Sequence, residues 1–107
     1  MKYELYTLKD NKIKVFTPPF IGQNDEWAKR EIATMVISNP ALMVSRFPSD
    51  FSLYAVGTWS DATGVDLGSI TKSEPRFVGT VEQIVDELGV VYRNYEKDEN
   101  KDKLESQ

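Results

Sequence analysis

The chain has 107 residues, suited to one domain with one core, and its 13 basic and 17 acidic residues give a formal net charge of −4. It contains no cysteine and no histidine, which removes disulfides, thiolate and imidazole metal sites, Ser-His-Asp and Cys-His mechanisms and the usual proton shuttle near neutral pH. With this acidic balance, nucleic-acid binding requires a locally basic face.

Tyr3 to Leu8 alternates and is rich in β-favouring residues, which predicts a strand. Lys9-Asp10-Asn11-Lys12 predicts a turn, and Ile13 to Thr17 the return strand. With a two-residue loop at Asp10-Asn11, Lys9 faces Lys12, Leu8 faces Ile13, Tyr6 faces Val15 and Leu5 faces Phe16. One face then carries Tyr6, Leu8, Ile13 and Val15 and is expected in the core. The other carries Tyr3, Leu5, Thr7, Lys9, Lys12, Lys14 and Phe16. Lysines among aromatics suit a single-strand binder, with charge for phosphates and ring faces for bases. The same pattern suits a solvated or dimer-packed outer face whose lysines discourage edge-to-edge pairing. A three-residue loop would set another register and other faces.

Pro18 and Pro19 end the hairpin, since neither can donate to a ladder. Asn24 or Asp25 is a natural N-cap for a helix over about 25–38, with Ala28, Ile32, Met35 and Val36 as its buried stripe. Lys29 and Arg30 lie off that stripe, as phosphate contacts or as part of an ordinary solvated face. Asn39-Pro40 stops the helix. Residues 41–47 predict a short helical turn, in which Arg46 either contacts a phosphate or packs its stem on Phe47.

Pro48-Ser49-Asp50 turns the chain into a central strand, with which the other strands are expected to pair. Phe51, Leu53, Ala55 and Trp59 alternate with Ser52, Thr58 and Ser60. Gly57 marks a bulge or a close backbone approach. Asp61 to Gly64 predicts a hairpin turn, Val65 to Ile70 its return strand and Thr71 to Pro75 a polar loop. Thr80 with Gln83 forms a capping box for a helix carrying Val81, Ile84, Val85 and Leu88, stopped at Gly89. Val90 to Tyr92 predicts a last strand or a segment packed on the sheet. The expected fold is α+β, a small antiparallel sheet of about four strands in the order β-hairpin, helix, β-hairpin, helix, with one or two helices packed on one face. Residues 1–95 form the single domain, and the mixed-charge stretch 96–107 is expected to be a disordered tail.

Asp50, Asp61, Asp66 and Glu74 match no calcium loop and no carboxylate pair, and read as turn acids bonding their own backbone. Trp27, Tyr54, Trp59 and Tyr92 read as core aromatics or as base-stacking rings. No catalytic set, metal site or cofactor is expected. No apolar run approaches the roughly 20 residues of a membrane span, and the charged, alternating start at Met1-Lys2-Tyr3-Glu4-Leu5 is unlike a signal peptide.

Thr17-Pro18-Pro19-Phe20, Asn24, Ala28-Lys29-Arg30 with Ile32 and Val36, Pro48 to Tyr54, Gly57 and Asp61 to Gly64 follow in an order and spacing that resembles the small nonstructural protein of gokushovirus, or Chlamydia-phage-type, microviruses. The resemblance runs from about Lys2 to Val85. It implies a non-enzymatic phage protein in the host bacterial cytoplasm, absent from the virion, that binds DNA in the switch to single-stranded genome synthesis and packaging. On that reading single-stranded DNA is the partner, and Tyr3, Lys9, Lys12, Lys14 and Phe16, with Lys29, Arg30 and Arg46, are the candidate contacts. The competing reading is an adaptor for the replication initiator, a capsid precursor or a host factor, and the outer face also suits a homodimer.

Overall fold

A computed structural model describes residues 2–60 and 68–88. The turn expected at Asp61 to Gly64, the first part of the return strand expected at Val65 to Ile70, the stop at Gly89, the segment Val90 to Tyr92 and the tail lie outside the described residues, while Ser69 and Ile70 of that return strand open β5. The sheet is built on two long central strands, β1 (Lys2–Asp10) and β4 (Phe51–Ser60), antiparallel from Lys2↔Ser60 to Asp10↔Phe51. β5 (Ser69–Thr80) pairs with the other edge of β4. The other edge of β1 is shared by two short strands, β2 (Val15–Phe16) and β3 (Phe20–Gly22), on either side of Pro18-Pro19. The strand order is therefore β2-β1-β4-β5, with β3 beside β1. This is the expected α+β fold; the central strand pairs on both edges, with β1 and β5, but β2 and β3 pair with β1 and not, as expected, with it.

α1 (Asp25–Ser38) starts where Asn24 accepts a hydrogen bond from the Trp27 amide at 2.9 Å, and it ends at Asn39, before Pro40. α2 (Met43–Arg46) is a single turn, followed by a 3₁₀ turn at Pro48–Asp50. Residues 81–88 form α3, capped reciprocally: the Gln83 amide donates to Thr80 Oγ1 at 3.2 Å and the Thr80 amide to Gln83 Oε1 at 3.4 Å. The helices cover one face of the sheet. Tyr6, Leu8, Phe51, Leu53 and Ala55 meet Ala28, Ile32, Ala33, Val36, Val44, Val81 and Ile84 in one core.

Three further sequence expectations are corrected. The first turn is longer than two residues: Lys9 faces Phe16 instead of Lys12, and Asp10 faces Val15. Asp10 holds this wider turn, its backbone carbonyl accepting from the Lys14 amide at 2.8 Å and its carboxylate from the Lys12 amide at 3.0 Å, while Lys14 takes the left-handed conformation at φ 59°. The slide is by an even number of positions, so side chains keep their faces. It nevertheless carries Ile13 and Val15 past the core, leaving them 68% and 52% exposed.

Thr71 to Pro75 is part of β5, not a loop. It is an edge strand exposed along residues 69–77, so its polar composition reflects solvent on both faces. Trp59 is out of phase with Phe51, Leu53 and Ala55. The pairing jumps from Leu5↔Gly57 to Tyr6↔Ala55, so Val56 is an extra residue that reverses the alternation of β4. Gly57, expected at a bulge or close approach, is at both: a β-carbon there would lie 2.5 Å from the Thr71 carbonyl oxygen.

Candidate functional site

The register assigns one set of side chains to the sheet face opposite the helices. β1 contributes Tyr3, Leu5, Thr7 and Lys9; β2 contributes Phe16; β4 contributes Ser52, Tyr54 and Trp59; β5 contributes Ile70, Lys72 and Phe77. Phe16 meets Tyr54 edge-on with centroids 5.9 Å apart, and Tyr54 meets Phe77 likewise at 5.7 Å, giving a row of three rings across the sheet. Tyr3 and Trp59 form a second pair at 5.8 Å. Lys9 Nζ stands 5.5 Å from the Phe16 centroid. Between the rings Leu5, Thr7 and Ser52 are buried, so aromatic carbon, lysine nitrogen and the exposed Ile70 side chain form the surface. Among the described residues no carboxylate takes a paired position on this face. Glu4 and Asp10 alternate to the other side, and Glu74 lies in a stretch of β5 with no cross-strand partner.

Of the residues singled out from sequence, Tyr3, Lys9 and Phe16 share this face. Lys12 and Lys14 sit in the turn beyond the end of β1. Lys29 and Arg30 are on α1 and Arg46 on α2, across the thickness of the sheet. Lys29 pairs with Glu26 at 3.5 Å, and Arg46 lies over the Phe47 ring at 5.5 Å. In the sequence Tyr54 and Trp59 stand only as isolated rings, and Lys72 and Phe77 carry no signal of their own. The bulge at Val56 hides the phase of Trp59, and a polar edge strand reads as a loop.

The family model described as Phage ORF5 protein matches residues 3–84. The chain belongs to the Phage ORF5 family. The match runs from Tyr3 in β1 to Ile84 in α3, so the aromatic face of this ORF5 protein lies wholly inside the family's span. No curated protein and no solved structure matches the chain.

On its helical side the ORF5 protein has two further features. The Tyr6 hydroxyl donates to Asp25 Oδ1 at 2.8 Å, and Arg76 grips the same carboxylate with two bonds, at 2.8 and 3.0 Å. This clamp joins β1, α1 and β5. The Arg76 hydrogen bonds hold the Asp25 carboxyl below the usual carboxylate range, helped by Tyr6. Burial, followed by the bond to Asp25, pushes the Tyr6 phenol well above its ordinary value. The second feature is an open apolar groove of about 730 Å³ lined by Leu8, Ile32, Met35, Leu42, Met43 and Phe51 among others, with Glu31 as the charged residue on its wall. Among the described residues there is no group of three or more carboxylates able to hold a metal ion, and no helix long and apolar enough to cross a membrane.

Proposed function

We propose that this ORF5 protein is a non-enzymatic phage accessory protein that binds single-stranded DNA along the outer face of its sheet in the host cytoplasm. The observation that carries this reading is the composition of that face: five aromatic rings and two lysines in register, without a paired carboxylate, on a chain whose net charge is −4. Rings accept unpaired bases by stacking and lysines accept the phosphates between them, without reading sequence. The acidic residues elsewhere on the molecule orient the strand toward this one face. Tyr3, Lys9, Phe16, Tyr54, Lys72, Trp59 and Phe77 form the track, with Lys12 and Lys14 extending it past the strand end. Lys29, Arg30 and Arg46 belong to the other side of the sheet and would engage only a strand that wraps around the molecule. The resemblance to gokushovirus-type nonstructural proteins supports a role for such binding in the switch to genome synthesis and packaging.

The test is fluorescence anisotropy of a labelled strand of about 20 nucleotides, beside its duplex and across salt. Salt-sensitive binding that prefers the single strand supports the reading, and no binding at low salt removes it. A second reading, an adaptor for a replication or capsid protein, is favoured by the apolar groove between α1, α2 and β1. It predicts binding of such a partner that is lost in Met43→Glu and unaffected by changes on the outer face.

A further inference from the structure

The outer face carries a second, smaller concavity of about 300 Å³, whose floor is Thr7 and Val56. One wall is Phe16, Thr17 and Pro19; the other is Lys72, Ser73 and Pro75. Its volume is at the small end of the roughly 300–1,000 Å³ found for small-molecule sites. The second wall exists because of an irregular pairing. Gly57 pairs with Lys72 and Ala55 with Arg76, so residues 73–75 stand opposite Val56 alone. Three residues against one push the edge strand out of the ladder, and Pro75 within it has no amide to return to that ladder. The absence of a side chain at Gly57 lets the Thr71 carbonyl close in at the start of this excursion.

We infer that this concavity seats a single unpaired nucleobase between Phe16 and the β5 bulge, with the Lys72 ammonium on the adjoining phosphate. The inference rests on the single-strand reading above and adds a docking point to it. Apolar walls with an aromatic edge suit the flat, weakly solvated faces of a base. The Ser73 hydroxyl and the backbone of 73 and 74, which have no register partner across the ladder, supply donors and acceptors for its polar rim. Lys72 makes no ion pair with another described residue, and its charge is therefore open to a phosphate. The row Phe16, Tyr54 and Phe77 begins at the pocket wall, so a base seated there would fix the strand at one end of the track.

The experiment is amide chemical-shift mapping of the full chain with a thymidine strand of about 20 nucleotides and with an abasic deoxyribose-phosphate strand of equal length. The thymidine strand is expected to shift Thr7, Phe16, Val56, Lys72 and Ser73, and the abasic strand to leave Thr7, Phe16 and Val56 unmoved. A Val56→Trp variant, which fills the concavity, is expected to weaken thymidine-strand binding about tenfold, in line with removal of one base contact, while abasic-strand binding is unchanged. Thymidine-strand binding without shifts at the pocket, or equal shifts with the abasic strand, overturns the pocket and leaves the single-strand reading standing. No binding of the thymidine strand overturns both. If Val56→Trp fails to fold, the shift map of the unaltered chain still decides.

Discussion

At the scale of single residues, the clamp on Asp25 sets how the fold responds to pH. Its carboxyl titrates below the ordinary Asp value of about 3.9, so its contribution is present above that value and is lost as pH falls through the lowered one. Tyr6 acts in the opposite direction: its contribution is complete below the ordinary tyrosine value of about 10 and is lost only as pH rises through the raised one. Thermal melts should therefore be flat between about pH 5 and 9 as far as this clamp is concerned. Asp25→Asn should lower stability by about 1–2 kcal/mol at neutral pH and reduce the loss seen below pH 4; an unchanged acid limb would show that other carboxylates govern it. Gly57→Ala should cost about 1–3 kcal/mol because its new β-carbon meets backbone, which cannot rotate away. A melting temperature equal to the parent's would contradict that close approach. Gly57 is readable as a special position because a glycine inside a strand pattern has few other uses. The Tyr6–Asp25–Arg76 clamp is not readable, since Asp25 lies 19 residues from Tyr6 and 51 from Arg76 in sequence.

At the scale of elements, local rules serve where the signal is local. The cap at Asn24, the stop at Asn39-Pro40 and the Thr80–Gln83 box each depend on a few neighbouring residues, and each lies where those residues place it. The strands are harder. The width of the first turn depends on how Asp10 folds back on the amides of Lys12 and Lys14, and the length of β5 depends on a partner strand. A polar edge strand and a polar loop have the same composition. The consequence for binding is testable by comparing two charge-reversal pairs. Lys9→Glu with Lys72→Glu, within the aromatic face, should lower the salt slope of single-strand binding by about 0.7 for each phosphate no longer neutralised. Lys12→Glu with Lys14→Glu, beyond the strand end, should have the smaller effect. If the turn pair has the larger effect, the strand follows the tip of the sheet and not its face. Tyr54→Ala removes the middle ring of the row and should weaken binding by about 1–3 kcal/mol with the salt slope unchanged.

At the scale of the whole molecule, net charge conceals a division that strand pairing reveals. Among the described residues the negative charge, apart from Glu74 in the bulge of β5, is placed on the helices, the turns and the inner side of β1, while the paired positions on the outer side of the sheet keep lysine and ring. The alternation of β1 alone already separates Glu4 from Lys9, so half of this division is legible in the sequence; the half contributed by β4 and β5 depends on the Val56 bulge. The prediction at this scale concerns self-association. If the outer face is a DNA track, sedimentation should give a monomer in low salt, and a strand long enough for two copies should load both. A stable dimer that dissociates on Tyr54→Ala would instead assign the rings to a subunit contact.

The pairing of β1 with β4 also has a meaning in time. Asp10 finds Phe51, and Lys2 finds Ser60, more than forty residues later in the chain. A ribosome therefore releases the first strand and α1 well before their partner exists, and the core is closed only when Val81 and Ile84 arrive. Until β4 is made, the apolar side of α1 lacks Phe51, Leu53 and Ala55 as core partners. Such long-range pairing slows folding toward the millisecond-to-second range typical of sheets, and a chain released just before Thr80 should stay protease-sensitive. Acquisition of fold, and with it of any binding face, thus waits for the residues that follow Thr80.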